Sequence, residues 1–453
     1  MKLKERLNWP NLALLLIILA IFFFFRFYQI NQRVQFDWDQ ERDAQAIGEI
    51  LSGRLTLLGP RVLGPDRFFL APYFYYLLAP FYLLTNLHPQ AIIYFLLFYN
   101  FIFFVLAYWV LKKLFSNKTA LIFLFLWSVN KAAIAADTIA WNPVIVPILV
   151  IGFLGILNKI FENSKKNLNW FYLGILLSVG INFHFQIVFL VILAAIFLFF
   201  GLSKKTKPKS ALASLFGFSL PFFPLLFFDL RHNFLNTNLF LRFLKDGGKG
   251  GDFWAWLPVF KNFLSGFLVI NISEITALFF LFFFSIITFL VAKRQKVSFL
   301  KYLFISLAIF LATFLLGFAV YGQRPSEYYF NFLIPFLILI MIEFLKKWRF
   351  GPILILILAL FWTYQSVVLL KPPLLNLKNK DRAARYLAQA AKGQEINITF
   401  SMPLDWDTGY RYLLNYYKVE LTDNPRAPIY RIIALPSQEP TTIVFGNIGI
   451  FVP

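Results

Sequence analysis

The stretch PNLALLLIILAIFFFFRFYQI, residues 10–30, decides the class of fold because it is apolar along almost its whole length. About 20 such residues span the hydrocarbon core of a bilayer as a helix. Lys2, Lys4 and Arg6 precede the run, which ends in bulky side chains without a small-residue cleavage site, so we expect a retained span and not a signal peptide. Of the 453 residues, 59% are hydrophobic and 14% charged, and further apolar runs predict an all-α polytopic membrane protein.

Short clusters of Lys and Arg separate the apolar runs and predict the topology. The positive-inside rule places such clusters in the cytoplasm, so an even number of spans must separate each pair. This requires about eleven transmembrane helices, with the N-terminus cytoplasmic and the C-terminus extracytoplasmic. The clusters are Lys112/Lys113/Lys118, Lys159/Lys165/Lys166, Lys204/Lys205/Lys207/Lys209, Lys293/Arg294/Lys296 and Lys346/Lys347/Arg349. Single predicted spans after the first cover residues 91–111, 119–136, 143–161, 211–230, 273–292, 299–321, 328–345 and 351–370.

Two apolar segments cannot be ordinary single spans if this topology holds. FFLAPYFYYLLAPFYLLTNL, residues 68–87, must not cross, and we predict an interfacial or re-entrant juxtamembrane helix on the outer side. Residues 168–200 lie between two basic clusters, so they must hold two short crossings that turn around GINFHFQ.

The chain therefore divides into two predicted parts. Residues 1–370 form the transmembrane domain, which includes a first outer loop at 31–90. Residues 371–453 form a small extracytoplasmic α+β segment, because DRAARYLAQAAK has a helical pattern whereas EINITF and TTIVFGNIGIF alternate as strands do.

The first outer loop opens on QFDWDQERDAQAI, residues 35–47, which concentrates acid in a chain of net charge +21. On a helix, Asp39 and Asp43 share a face, while Asp37, Glu41 and Arg42 point elsewhere. Paired carboxylates can coordinate a divalent cation or act as a general base. A solvated amphipathic helix explains the spacing equally well, so the spacing alone leaves the two interpretations open.

The order of these features resembles the GT-C superfamily of membrane glycosyltransferases, in the branch of the protein O-mannosyltransferases and the lipid A aminoarabinose transferase. The resembling features are a first span, an acidic motif opening an outer loop, a Pro-containing juxtamembrane helix, and a second span closed by KKLFSNK. In that branch an Asp of the first outer loop is catalytic, and Asp39 matches it. The chain departs from the pattern at Gln40, where an acid is usual, and at 69–71, where polar residues usually precede the Pro.

The resemblance implies transfer of a sugar from a polyprenyl-phosphate-linked donor to a hydroxyl of a glycan, lipid or protein acceptor. Asp39 would be the base of an inverting displacement. Divalent magnesium or manganese stays open, whereas three His and no Cys argue against a dedicated zinc site. The supporting acidic or metal-binding candidates are Asp43, Asp37 and Asp137. The candidates for the donor phosphate are Arg231, His232, Arg324 and Arg67, and the other pocket candidates are Asn142, His184, Gln186 and Tyr328.

Other functions fit less well. A transporter or flippase of lipid-linked or polysaccharide substrates needs ionisable groups near the bilayer midplane, whereas Arg26, Asp137 and Asp229 lie toward predicted outer ends. A polysaccharide polymerase or ligase would not predict the early acidic motif. The basic residues fall between apolar runs, so we expect no nucleic-acid partner but contact with membrane lipids, and we expect the protein in a bacterial plasma membrane.

Overall fold

The computed structural model describes residues 9–62, 67–202, 208–246, 251–322 and 324–453. The N-terminal basic residues and Lys204, Lys205 and Lys207 of the predicted topology lie outside these ranges. The first helices are α1 (Trp9–Phe27), α2 (Ile30–Arg33), α3 (Trp38–Leu51), α4 (Tyr73–Leu84), α5 (Ala91–Leu114), α6 (Asn117–Val129), α7 (Lys131–Thr138), α8 (Val146–Glu162), α9 (Asn167–Phe183) and α10 (Val188–Leu202). They are followed by α11 (Pro208–Ser219), α12 (Phe223–Arg231), α13 (Leu235–Asp246), α14 (Leu257–Leu268), α15 (Glu274–Arg294), α16 (Ser298–Tyr321), α17 (Leu333–Leu345), α18 (Gly351–Ser366), α19 (Leu377–Ala391) and α20 (Tyr410–Tyr416).

Apolar helices occur at every position where the sequence predicts a span. In the described part of the chain, seven are long and apolar enough to cross a membrane, or eight if the bent pair α6–α7 is one span. The length and composition of the helices therefore do not confirm the predicted number of eleven spans. The segment 68–87 holds only α4, whose 12 residues extend about 18 Å at 1.5 Å per residue, too short for the hydrocarbon core. Residues 168–200 form two helices, α9 and α10, which meet at His184.

The predicted span 119–136 is bent by 75° between α6 and α7. Asn130 causes the break, because its own backbone is extended and its side chain accepts from Ala133 N at 3.0 Å as the N-cap of α7. The carbonyls at the end of α6 lose their helical partners there. Arg26 of α1 donates to two of these carbonyls, those of Trp127 at 3.2 Å and Ser128 at 3.4 Å.

Basic clusters meet at one end of the bundle, here called the basic end. Lys113 at the end of α5 lies 3.6 Å from Glu162 at the end of α8. Thr119, at the start of α6, donates to Glu343 of α17 at 3.3 Å, and Lys346 is ion-paired with the same carboxylate. Helix α5 runs from this end to the opposite one, here called the site end, where α3 and the C-terminal segment lie.

The C-terminal segment contains a four-stranded sheet with the order β1-β2-β4-β3. Strands β1 (Asn397–Ser401) and β2 (Ile429–Ala434) are parallel and connected through α20, whereas β3 (Ile443–Phe445) and β4 (Ile448–Phe451) form an antiparallel hairpin. Alternation along β2 buries Tyr430 and Ile432 and exposes Arg431, as expected for a sheet with one covered face. The predicted small sheet and the helix α19 are confirmed, while β2 was not singled out from the sequence.

Candidate active site

Helix α3 carries the acidic motif, and Gln40 fixes its position. The side-chain oxygen of Gln40 accepts from Asp37 N at 3.0 Å, which closes the first turn of the helix. Its amide nitrogen donates to Ala140 O at 3.1 Å, in the loop before α8. A carboxylate could not donate this bond, which gives a physical reason for an amide where the resembling family has an acid.

Two of the four acids bind the C-terminal segment. Asp37 Oδ1 accepts from the buried Lys380 Nζ at 2.7 Å. The carboxylate oxygens of Glu41 accept from Gly409 N at 2.8 Å and Tyr412 N at 2.7 Å. Gly409 has φ 84°, and a Cβ there would lie 2.2 Å from Phe36 O, so only glycine fits this close approach. Asp37, expected as a supporting acid or metal ligand, instead holds the C-terminal segment to the site end.

The other two acids share one guanidinium. Arg42 Nη1 lies 2.7 Å from Asp39 Oδ1, and Arg42 Nη2 lies 2.6 Å from Asp43 Oδ1. The prediction that Arg42 points elsewhere is wrong, because its long side chain folds back along the helix between positions 39 and 43. Asp39 is half-exposed, whereas Asp43 is buried.

Burial also changes the pKa values of Asp43 and Arg42. Desolvation raises the pKa of Asp43 to about 7, although Arg42 acts in the opposite direction. Burial lowers the pKa of Arg42, but the carboxylates of Asp43 and Asp39 outweigh it and the net shift is upward. Arg42 is therefore a permanent cation beside Asp39.

The trio does not fit a divalent cation. A guanidinium lies between the two carboxylates, where a metal ion would have to bind both, and it satisfies one oxygen of each. Within the described ranges, no group of three or more His, Cys, Asp or Glu side chains could hold a metal ion.

A cavity of about 140 Å³ opens beside Asp39 at the site end. Its walls come from α3, residues 61, 62 and 70 of the first loop, the loop before α8, the α9–α10 junction and the segment before α17. Aromatic rings pack its far side: Tyr328 lies 4.6 Å from Trp141 and 5.4 Å from His184, measured between ring centroids. The lining residues are Trp38, Asp39, Arg42, Arg61, Val62, Leu70, Trp141, Asn142, Pro143, His184, Tyr328 and Tyr329.

Three of the predicted pocket residues therefore line the cavity with Asp39, and a fourth lies behind it. Asn142 donates to Phe183 O at 2.7 Å, which ties the loop before α8 to the end of α9. His184 is buried, and its Nδ1 lies 3.0 Å from the amide nitrogen of the fully buried Gln186. Since this amide can only donate, Nδ1 accepts and the ring proton is on Nε2.

Arg61, which no sequence pattern singled out, brings a second cation to the cavity. Its guanidinium lies 4.3 Å from the centroid of the Phe69 ring. The two residues face each other in a short antiparallel pairing in which Val62 N donates to Phe68 O at 2.9 Å. Asn236 holds this pairing in place, since it accepts from Phe69 N at 2.7 Å and donates to Phe69 O at 3.1 Å. Phe69 thus contributes both its ring, which contacts Arg61, and its backbone, which Asn236 binds.

The predicted phosphate-binding cations lie elsewhere. Arg67, Arg231, His232 and Arg324 are exposed and are not among the residues that line the cavity. His232 stacks on Phe228 with 4.1 Å between ring centroids, and its Nδ1 lies 2.8 Å from Phe228 O. Among the described residues that line the cavity, the two cations are Arg42 and Arg61, which both come from the first loop.

Asp137 does not line the cavity either. Its Oδ2 accepts from Arg26 Nη2 at 2.6 Å and from Trp127 Nε1 at 2.7 Å, with both charged groups fully buried. Asp137, a candidate supporting acid or metal ligand from the sequence, is instead the counter-ion that the buried Arg26 needs inside the bundle.

Solved structures share this architecture. ArnT from Cupriavidus metallidurans, bound to undecaprenyl phosphate, has a TM-score of 0.64 and 10% identity over 98% of this chain and 98% of that one. The oligosaccharyltransferase of Archaeoglobus fulgidus, in complex with Zn and sulfate, has a TM-score of 0.53 and 14% identity over 90% of this chain and 62% of that one. No protein-family model matches the sequence, and no curated protein matches it.

These comparisons show the fold of the chain. ArnT, a lipid A aminoarabinose transferase, and the oligosaccharyltransferase are both members of the GT-C superfamily. The chain shares the fold of these two proteins, which confirms the GT-C fold that the resemblance predicted, and its long apolar helices make it an integral membrane protein.

Proposed function

We propose that this protein transfers a sugar from a polyprenyl-phosphate-linked donor to an acceptor hydroxyl on the extracytoplasmic face, which we assign to the site end. The observation that carries the proposal is one cavity where Asp39, a half-exposed carboxylate, lies beside Arg42 and Arg61. A base and cations are what the two reacting ends of such a transfer require. The fold supports the donor class, because the solved ArnT structure holds undecaprenyl phosphate.

The reaction is a single displacement. The acceptor oxygen attacks the anomeric carbon of the sugar while the bond from that carbon to the phosphate oxygen breaks. The electron pair of that bond leaves with the lipid phosphate, and the hydroxyl proton moves to Asp39. Attack from the face opposite the leaving group inverts the configuration of the anomeric carbon.

The two arginines have separate roles in this scheme. Arg42 is engaged by both carboxylates and orients Asp39, so its guanidinium is a positioning group. In the described part of the chain, the Arg61 side chain makes no ion pair, and its planar fork suits two phosphate oxygens at once. We assign the leaving phosphate to Arg61, and Arg231 with Arg324 remains the alternative that the sequence suggests.

A transporter is the competing class of protein. The charged residues of the described helices favour a glycosyltransferase over a transporter. Arg26 and Asp137 are fully buried and bind each other through short hydrogen bonds, so neither group is available to bind a transported ion. The remaining polar groups of the site gather at one end of the bundle and not along a path through it.

Replacement of Asp39 tests the base. Asp39→Asn keeps the size and a hydrogen bond but cannot take the proton, so we expect transfer to fall by about two to four orders of magnitude. The measurement is transfer of radiolabel from a polyprenyl-phosphate sugar pool in membranes that contain equal amounts of each variant. Glu49→Gln is the matched control, because it removes an exposed carboxylate from the same helix. Near-normal transfer by Asp39→Asn would contradict the assignment.

Replacement of the arginines tests the phosphate site. We expect Arg61→Leu to raise the donor KM about tenfold or more, with partial rescue by Arg61→Lys, because Lys keeps the charge without the fork. The comparison variant is the double replacement Arg231→Leu, Arg324→Leu in the same donor titration. A larger effect of the double variant than of Arg61→Leu would move the phosphate site to the outer loops.

A further inference from the structure

A second, larger opening adjoins the cavity. It has a volume of about 660 Å³ and lies between α3 and the C-terminal segment; we call it the acceptor groove. Trp38 and Arg42 line both spaces, so one face of α3 separates the groove from the cavity. The cavity of about 140 Å³ is small compared with ligand pockets of about 300–1,000 Å³, whereas the groove falls in that range.

The groove offers polar side chains that the fold itself does not use. Arg411, Asp407, Asn415 and Asp423 line it and are exposed. Within the described residues, these four side chains make no hydrogen bond or ion pair, so their donors and acceptors are available to a ligand. They include both signs of charge and an amide, which together can both donate to and accept from hydroxyl groups.

The charge of the groove argues against an anionic ligand. Arg42 is engaged by Asp39 and Asp43, and Glu41 by two backbone amides, so these groups are not free. The free charges are those of Arg411, Asp407 and Asp423, with the negative sign in excess. A phosphate-rich or carboxylate-rich ligand would be repelled by that excess.

Aromatic surface completes the chemistry. Trp38 is 55% exposed and Phe400 39% exposed, and both line the groove. Large exposed aromatic faces flanked by hydroxyl-binding groups suit an amphipathic ligand with flat C–H surfaces and a hydroxyl-bearing edge. Pyranose rings of neutral sugars have both features, and acyl chains lack the second.

We propose that the groove between α3 and the C-terminal segment binds the acceptor and that the acceptor is a neutral oligosaccharide. This inference rests on the proposed glycosyl transfer and names the substrate class of that site. A sugar hydroxyl at the inner end of the groove would reach Asp39 past Trp38. The C-terminal segment thereby selects the acceptor, although Asp39 and Arg61 lie outside it.

Binding, measured without donor, tests this inference separately from the transfer reaction. The full chain in lipid nanodiscs is titrated with neutral gluco- and manno-oligosaccharides, and in a parallel arm with sulfated and phosphorylated oligosaccharides. We expect saturable binding of a neutral oligosaccharide by the wild type. The double variant Arg411→Ala, Asp423→Asn should bind it at least tenfold more weakly, because each lost hydrogen bond to a charged group costs about a factor of ten in affinity. Asp39→Asn should bind like the wild type, so loss of transfer with retained binding separates the two proposals.

The control is Arg426→Ala, Asp405→Asn, which changes the same residue types on the same segment outside the groove. It should bind like the wild type, and thermal unfolding should show that both double variants are folded. The inference is overturned if Arg411→Ala, Asp423→Asn binds neutral oligosaccharide like the control. It is also overturned if only the anionic arm binds, or if neither arm does.

Discussion

At the scale of single residues, Arg42 determines what the acidic motif can do. Because its guanidinium binds Asp39 at 2.7 Å and Asp43 at 2.6 Å, the two carboxylates do not form a free acidic pair. Asp43 is buried and its Oδ2 has no hydrogen-bond partner in the described chain. The pair is thus unequal: Asp39 is open to the cavity, and Asp43 holds Arg42 in place.

The buried member should give the protein a measurable pH dependence. Burial raises the pKa of Asp43 to about 7, so between its unfolded value near about 4 and about 7 the folded state binds the extra proton. Folding stability from this group is therefore gained as pH falls through that window and lost as pH rises, by up to about 1.4 kcal/mol per pH unit. Thermal unfolding between pH 5 and pH 8 should show a steeper dependence in the wild type than in Asp43→Asn.

Glu49→Gln serves as the control for that experiment, because it removes an exposed acid from α3 at a distance from Arg42. Equal pH slopes for the wild type and Asp43→Asn would mean that Asp43 is not the titrating group.

At the scale of elements, the ion pair Arg26–Asp137 stabilises the bend between α6 and α7. Arg26 donates hydrogen bonds to the carbonyls of Trp127 and Ser128 at the end of α6. Its counter-ion is the carboxylate of Asp137, which lies on α7 beyond the bend. The bend places the loop after α7, with Ala140 and Asn142, against α3 and the cavity. A structural ion pair thus shapes the site without reaching it.

Breaking this buried pair should destabilise the fold strongly. Asp137→Leu leaves an unpaired buried guanidinium, and we expect a loss of about 3–5 kcal/mol in the free energy of unfolding. The double variant Arg26→Leu, Asp137→Leu removes both charges and should recover part of that loss. Thermal stability of the detergent-purified variants measures both, and a double variant less stable than Asp137→Leu would refute the explanation.

At the scale of the whole molecule, the two ends of the bundle differ in charge and in what covers them. Lys113 and Lys346 lie at the basic end, and the C-terminal segment covers the other through Asp37–Lys380 and His88–Asp381. His88 Nε2 lies 3.0 Å from Asp381, and the hydrogen bonds from His88 and Tyr417 outweigh burial, so the pKa of Asp381 is lowered. The segment is therefore anchored at several separate points.

This polarity predicts the orientation in the membrane. A reporter fused after residue 115 should be cytoplasmic and one fused after residue 380 extracytoplasmic, because the basic clusters then all face inward. Paired alkaline phosphatase and green fluorescent protein fusions measure both positions. If the fusion at 115 is external, the segment 68–87 crosses the membrane and the first loop is not where the proposed reaction needs it.

The apolar runs and the alternating stretches determined, from the sequence alone, the membrane class, the positions of the long apolar helices and three of the four strands. Periodicity and hydropathy are local properties, so a single stretch such as 10–30 is enough to read them. The resemblance around residues 35–47 added the GT-C fold and put Asp39 forward as the base, which remains a proposal.

Only the tertiary structure decided which partners the charged and polar side chains find. Gln40 meets Ala140, Asp137 meets Arg26 and Asp37 meets Lys380, across separations of 100, 111 and 343 residues. No local pattern reports such contacts, because they depend on how distant helices pack. No local pattern predicts the position of Arg61 either. Arg61 reaches the cavity because its backbone pairs with that of Phe69, and Asn236 of α13 holds this pairing in place.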